Sequence, residues 1–151
     1  MQRLFIPLLL SAFLLGCDGT TDPPDFLQGD WALESARTFE GTDLEAPLGS
    51  VMRLSASGDL AIESGNDCSG EYRVTGEPGE MLSLAFLSCT EAATTPETDL
   101  ALLIHTLTYP DGDASLYSSR HVYPFGILES LPPYLSLEVG EVRLRFRQES
   151  R

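Results

Sequence analysis

The chain reads as a mainly β protein, a small antiparallel barrel or barrel-like sheet with room for one short helix near 98–105. Three observations lead there. Apolar residues recur at every second position through most of the chain, the alternating runs are short, and glycine- or proline-bearing turns separate them. Many short strands whose edges must be hidden favour closure into a barrel. The 151 residues suit one domain, and 42% hydrophobic with 21% charged residues is an ordinary globular composition.

The first segment is not part of that domain. Met1-Gln2-Arg3 carries a positive charge, and Leu4 to Leu15 is apolar apart from Pro7 and Ser11. That run falls short of the ~20 residues a bilayer span needs and suits an export signal. It ends in Leu14-Leu15-Gly16-Cys17, which resembles the lipobox of bacterial lipoproteins. The resemblance implies cleavage before Cys17, a thioether-linked diacylglycerol on its sulfur, and a fatty acyl group such as palmitate on its freed amine. The expected organisation is a signal peptide over 1–16, a polar tether over 17–25 containing Pro23 and Pro24, and the β domain over 26–151. The expected location is the cell envelope, lipid-anchored. Asp18 favours the periplasmic face of the inner membrane under the sorting rule of enteric bacteria, with the outer membrane as the alternative.

Trp31, Leu33 and Ser35 alternate with Ala32, Glu34 and Ala36 as the first strand, with Trp31 and Leu33 inward and Trp31 sealing one barrel end. Met52, Leu54 and Ala56 face Leu60 and Ile62 across Ser57-Gly58-Asp59, with 54 paired to 62 and 56 to 60. Tyr72 and Val74 face Leu82, Leu84 and Phe86, with 74 paired to 82 and 72 to 84. Extended backwards, this register puts Cys68 opposite Ser88, and a bulge at Gly70 brings it level with Cys89. With Cys17 lipidated, Cys68 and Cys89 are the remaining pair, and in an exported protein a disulfide is the default. Near the C-terminus Leu135 and Leu137 pair with Leu144 and Val142 across Val139-Gly140, and Phe146 continues the apolar face. Between the hairpins, 98–108 is either a helix capped near Asp99 or a strand in which Ile104, Thr106 and Thr108 alternate. The strand is favoured, from about Leu102 and paired with Ser115 to Val122, with an irregular crossing over Pro124 to Pro133.

Leu27-Gln28-Gly29-Asp30-Trp31-Ala32-Leu33 matches the L-x-G-x-W-x-L opening of META-domain lipoproteins. Gly65 to Tyr72 is similar to that family's Gly-Cys-Asn segment leading to Gly-x-Tyr, although here the order is Gly-Asn-Asp-Cys. The G-x-W opening is also similar to lipocalin-like calyx domains, the second choice. The resemblance implies a compact β domain in the envelope and brings no chemistry with it.

Charge narrows the partners. There are 23 acidic residues and nine arginines, with no lysine. Loss of Arg3 with the signal leaves a net charge of −15, which repels nucleic acid and anionic headgroups. The expected partners are the membrane, through lipid on Cys17, and either a basic envelope protein or a small apolar ligand. Arg143, Arg145 and Arg147 share the wet face of the last strand, expected as a solvated row balancing acidic neighbours. His105 and His121 are the only histidines and are expected as surface or hydrogen-bonded residues. Asp111-Gly112-Asp113 lacks the spacing of a calcium loop and reads as a turn. G-x-S-x-G, HExxH and P-loop patterns are absent from the sequence. The expectation is therefore a non-enzymatic binding or structural domain without metal or cofactor. A calyx for a small apolar ligand and an inhibitor of a basic envelope enzyme such as a lysozyme are the alternatives.

Overall fold

Period-two alternation buries one side of each strand, and a sheet with one apolar side closes most economically on itself. The computed structural model describes residues 23–75, 81–90, 94–112 and 120–150, so the signal segment, Cys17 and the start of the tether lie outside the described residues. A 3-10 turn, Asp25–Leu27, leads into β1 (Gly29–Thr38), β2 (Val51–Leu54), β3 (Asp59–Glu63), β4 (Cys68–Thr75) and β5 (Met81–Cys89). Then follow α1 (Leu100–Thr108), β6 (Arg120–Leu128), β7 (Tyr134–Val139) and β8 (Val142–Gln148). Each strand pairs antiparallel with the next and β8 returns to β1, giving a closed eight-stranded barrel. The mainly β class and the barrel are as the sequence predicts, and the one short helix lies in the stretch where the sequence leaves room for it.

The β4–β5 register is the expected one, with Val74 opposite Leu82 and Tyr72 opposite Leu84. The ladder shifts between Ser69 and Gly70, so that Cys68 meets Cys89 and the two form a disulfide. Any side chain at position 70 would collide with the Ala85 carbonyl, which is why the bulge carries glycine.

Two hairpins close two residues differently from the expectation. Leu54 pairs with Leu60 and Met52 with Ile62, leaving 55–58 as the loop. Leu135 pairs with Phe146, Leu137 with Leu144 and Val139 with Val142, so the turn is Gly140-Glu141. A two-residue slip keeps every side chain on its face, so apolar alternation cannot distinguish the two registers. Gly140, at φ +59°, takes the left-handed position that a two-residue turn demands.

Three further expectations are corrected. In β1 a bulge between Leu33 and Ser35 turns Ala36 inward, where it is buried, and leaves Glu34 exposed. Residues 100–108 form a helix and not a strand. Leu100, Ala101, Leu103 and Ile104 are all buried, at helical and not alternating spacing. The Asp99 carboxylate caps the helix by accepting from the Leu102 amide at 3.1 Å. Of its expected partner strand, 115–119 lies outside the described residues, and Arg120 to Val122 belongs to β6, pairing with β5. Finally, β6 continues through Pro124 where an irregular crossing was expected. Pro124 ends the pairing with β5, and the pairing with β7 begins at Phe125, so the missing N–H falls at the junction of two ladders.

The inward side chains fill the barrel. Trp31, Met52, Leu54, Ile62, Leu82, Leu84, Leu135, Leu137, Leu144 and Phe146 are fully buried in one cluster. Trp31 closes the end at which the chain enters, packing with buried Leu27 and donating from Nε1 to the Leu27 carbonyl at 2.8 Å. Helix α1 covers the opposite end. Ser64 Oγ, beyond β3, accepts from the Leu100 amide at 2.9 Å, and the far end of the helix meets Gly140 of the β7–β8 turn.

Trp31→Ala should cost about 3–5 kcal/mol of the roughly 5–15 kcal/mol available to such a domain, whereas exposed Glu34→Ala should cost little. Chemical denaturation of both variants checks this, and a red-shifted, quencher-accessible native Trp31 emission would contradict the placement. Reducing the Cys68–Cys89 bond, which spans 21 residues, should lower stability by about 3 kcal/mol on the loop-entropy argument.

Candidate functional site

A polar cluster interrupts the apolar interior where the last turn of α1 meets β6. The β5–β6 register sets His121 beside Leu84 and Tyr123 beside Leu82, so both side chains point inward. The helix brings His105 and Tyr109 over them. Ring centroids lie 6.4 Å apart for His105 and His121, 5.4 Å for His105 and Tyr109, and 5.2 Å for Tyr109 and His121. Tyr109 Oη sits 3.4 Å from His121 Nδ1, while Thr108 Oγ1 joins the Ile104 carbonyl at 2.7 Å to Tyr123 Oη at 2.8 Å.

Both histidines are buried, contrary to a surface placement, and among the described residues one ring nitrogen of each has no hydrogen-bond partner: Nδ1 of His105 and Nε2 of His121. Burial pushes the His121 pKa below its ordinary 6.5, and the neighbouring His105 adds to the shift. Burial also pushes the Tyr123 hydroxyl well above the ordinary tyrosine range. The cluster is therefore neutral at pH 7 on the His121 and Tyr123 side.

Among the described residues the cluster presents no serine or cysteine nucleophile to a histidine. Ser83, also buried and with no hydroxyl partner among the described residues, pairs with Val122 and so lies on the opposite side of the sheet from His121. Among the described residues no three His, Cys, Asp or Glu side chains converge to hold a metal. Asp99, 1% exposed, is occupied in structure. Besides capping α1 it accepts from Asn66 Nδ2 at 2.6 Å and Thr94 Oγ1 at 2.9 Å, tying the helix start to the β3–β4 turn.

The arginine row faces solvent. Arg143 pairs with Glu138 at 2.8 Å, and Arg145 reaches Glu34 at 3.7 Å while lying over the Tyr134 ring at 3.9 Å. Arg147 has no ion pair among the described residues. Tyr109 to Gly112 forms a turn closed by the Gly112 amide on the Tyr109 carbonyl at 3.1 Å, and Asp113 lies outside the described residues. An open groove of about 430 Å³ runs beside the disulfide, lined by Asp67, Ser69, Ser88 and Thr90 among others. Among the described residues its charged lining side chains are Glu63 and Asp67, and none of the lining is aromatic.

Sequence reasoning named both histidines and expected them as surface or hydrogen-bonded residues. They are neighbours because a helix lies over β6, which also recruits Tyr109 and Tyr123. The available signal was Thr98-Asp99 followed by an apolar run, which is the pattern of a helix start.

No family model matches the chain, and neither does any curated protein. Among solved structures it is similar to a protein from Burkholderia xenovorans determined by NMR, with a TM-score of 0.53 and 19% identity over 82% of this chain and 83% of that one. An uncharacterized protein from Bacteroides eggerthii, known from a crystal structure, gives 0.48 at 10% identity, covering 81% and 98% of the two chains. The first of these likenesses supports the barrel fold and says nothing of activity.

The His121 shift has a stability consequence. Its folded-state pKa lies below the unfolded value near 6.5, so the unfolded chain takes up the proton first. Stability should be full above about pH 6.5 and decline as pH falls below it, levelling once the folded state also protonates. Denaturation midpoints between pH 7.5 and 5.5 should show the decline, and His121→Phe should flatten most of it. An unchanged slope in His121→Phe would assign the effect to other groups.

Proposed function

We propose that this protein is a lipid-anchored envelope lipoprotein whose META-like barrel binds or braces another envelope component without catalysing a reaction. The observation that carries this reading is the path of the chain: Cys17 stands six residues before Pro23, which leads directly into the Trp31-closed barrel end. Lipid on Cys17 would hold that end toward the bilayer and turn the α1 end toward the periplasm. The outward end is acidic, with exposed Glu40, Asp43, Glu45, Asp67, Glu97 and Glu141 around it. A basic protein partner, including a lysozyme-like enzyme held by inhibition, fits that surface, and attraction of this kind speeds association and fades with salt. A calyx for a small apolar ligand has less support, because the barrel's own side chains occupy its interior.

Cys17→Ser should leave the precursor unlipidated and uncut, read by mass and by detergent partitioning. Processing to the mature length would contradict the lipoprotein reading. A basic lysozyme titrated against the delipidated domain should bind at low salt and weaken steeply as salt rises. Glu40→Gln, Glu45→Gln and Glu141→Gln together should reduce that binding more than neutralising Asp25, Glu129 and Glu149 at the other end.

A further inference from the structure

The barrel end that receives the tether also carries the most exposed apolar side chain of the described residues. Leu131, in the β6–β7 turn, is 100% exposed, and Leu128 and Phe26 are 58% and 53% exposed. These belong to one surface. Gln148 ties the turn to the entering chain, its amide donating to the Pro133 carbonyl at 3.0 Å and its Nε2 to the Gln28 carbonyl at 3.2 Å. Across the strands Leu128 pairs with Tyr134 and Tyr134 with Arg147, so all three project outward in a single row.

The turn is braced in its outward position. The Ser130 amide donates to the Leu128 carbonyl at 3.0 Å, and the Ser130 hydroxyl to the Pro132 carbonyl at 2.6 Å. With Pro132 and Pro133 following, Leu131 is held at the tip of a fixed loop, where folding back onto the barrel would break those bonds. A leucine fixed fully in water is unfavourable unless something apolar covers it.

The length of chain before the barrel decides what covers it. From Cys17 to Pro23 is six residues, which reach at most about 22 Å when fully extended. We infer that this end of the barrel rests on the anchoring membrane, with Leu131 and Leu128 entering the headgroup–acyl boundary and Tyr134 and Arg147 at its polar edge. Tyrosine and arginine suit that layer because each joins an apolar body to a polar tip. The inference rests on the lipid anchor at Cys17, since the tether supplies the high local concentration that a contact this small requires. Charge does not drive it. Asp25, Glu129 and Glu149 are exposed at the same end, so the contact is apolar and suited to zwitterionic lipid.

The test uses the lipidated protein in phosphatidylcholine vesicles. A cysteine introduced by Leu131→Cys is the only free thiol once Cys17 is acylated and Cys68 is bonded to Cys89, so it accepts an environment-sensitive fluorophore alone. Leu48→Cys, 62% exposed in the β1–β2 connection at the α1 end, is the matched control. The label at 131 should be blue-shifted and quenched by nitroxide-bearing lipids several-fold more than the label at 48. Adding Leu128→Glu should reduce the quenching at 131. Equal quenching at the two positions, with acylated Cys17 confirmed by mass, would overturn the membrane contact and leave the lipoprotein reading intact. A Cys17 without acyl chains would overturn both.

Discussion

The pairing of β1 with β8 determines the remainder of the molecule. Without it both strands would be sheet edges presenting unpaired amides and carbonyls, and the inward leucines would face an open trough. β1 has ten residues and is shared, its first four pairing with β2 while Trp31 to Thr38 pair with β8. The bulge at Glu34 makes the sharing possible, since one extra residue bends the strand and increases its twist. It also reverses which residues point inward, so that Ala36 takes the place on the core side that Ser35 would otherwise hold. An eight-stranded barrel has an interior that side chains alone can fill, and closure therefore sets the size of the core as well as removing its edges.

How far the sequence discloses this depends on the range of the interaction. The β4–β5 register was legible because three constraints agree there: alternation at Tyr72 and Val74, a glycine where a bulge is needed, and two cysteines that must meet. The β2–β3 and β7–β8 registers lacked such a third constraint, and each came out two residues away from its true position with all faces correct. The Glu34 bulge has no local signature, because its cause is the geometry of closure. Residues 100–108 were misread for a related reason. Thr106 and Thr108 favour strands as isolated residues, yet Asp99, Ser64, Asn66 and Thr94 hold the helix start in place through contacts up to 36 residues apart in sequence. Both histidines were named from the sequence. Their burial, and the two tyrosines beside them, depended on the placement of that helix.

The polar cluster belongs to the junction between helix and barrel. A helix lying across a barrel mouth brings its final carbonyls against strand ends, and those groups need partners. Thr108 Oγ1 donates to the Ile104 carbonyl and meets Tyr123 Oη, and the Tyr109 amide donates back to the His105 carbonyl. The two imidazoles pack beside them, each with one nitrogen that has no partner among the described residues. This is a costly way to pack a plug, since an apolar pair of similar volume would carry no unsatisfied atom. The cost falls where α1 closes the barrel, and the lowered pKa of buried His121 makes that junction sensitive to acid.

The two ends of the barrel thus differ in the forces that seal them. The tether end is closed by Trp31 and Leu27 and depends on apolar packing, which protonation does not touch. The α1 end is closed by a helix capped at Asp99 and packed over His121, whose pKa burial lowers, so that its packing weakens as the solution turns acid. Acidification should therefore loosen the barrel from the α1 end, leaving the disulfide-braced β4–β5 hairpin and the Trp31 end folded longest. Hydrogen exchange at about pH 5.5 checks this order: amides of α1 should lose protection before those around Trp31. Simultaneous loss at both ends would mean that the helix is not a separable plug but part of a single cooperative core.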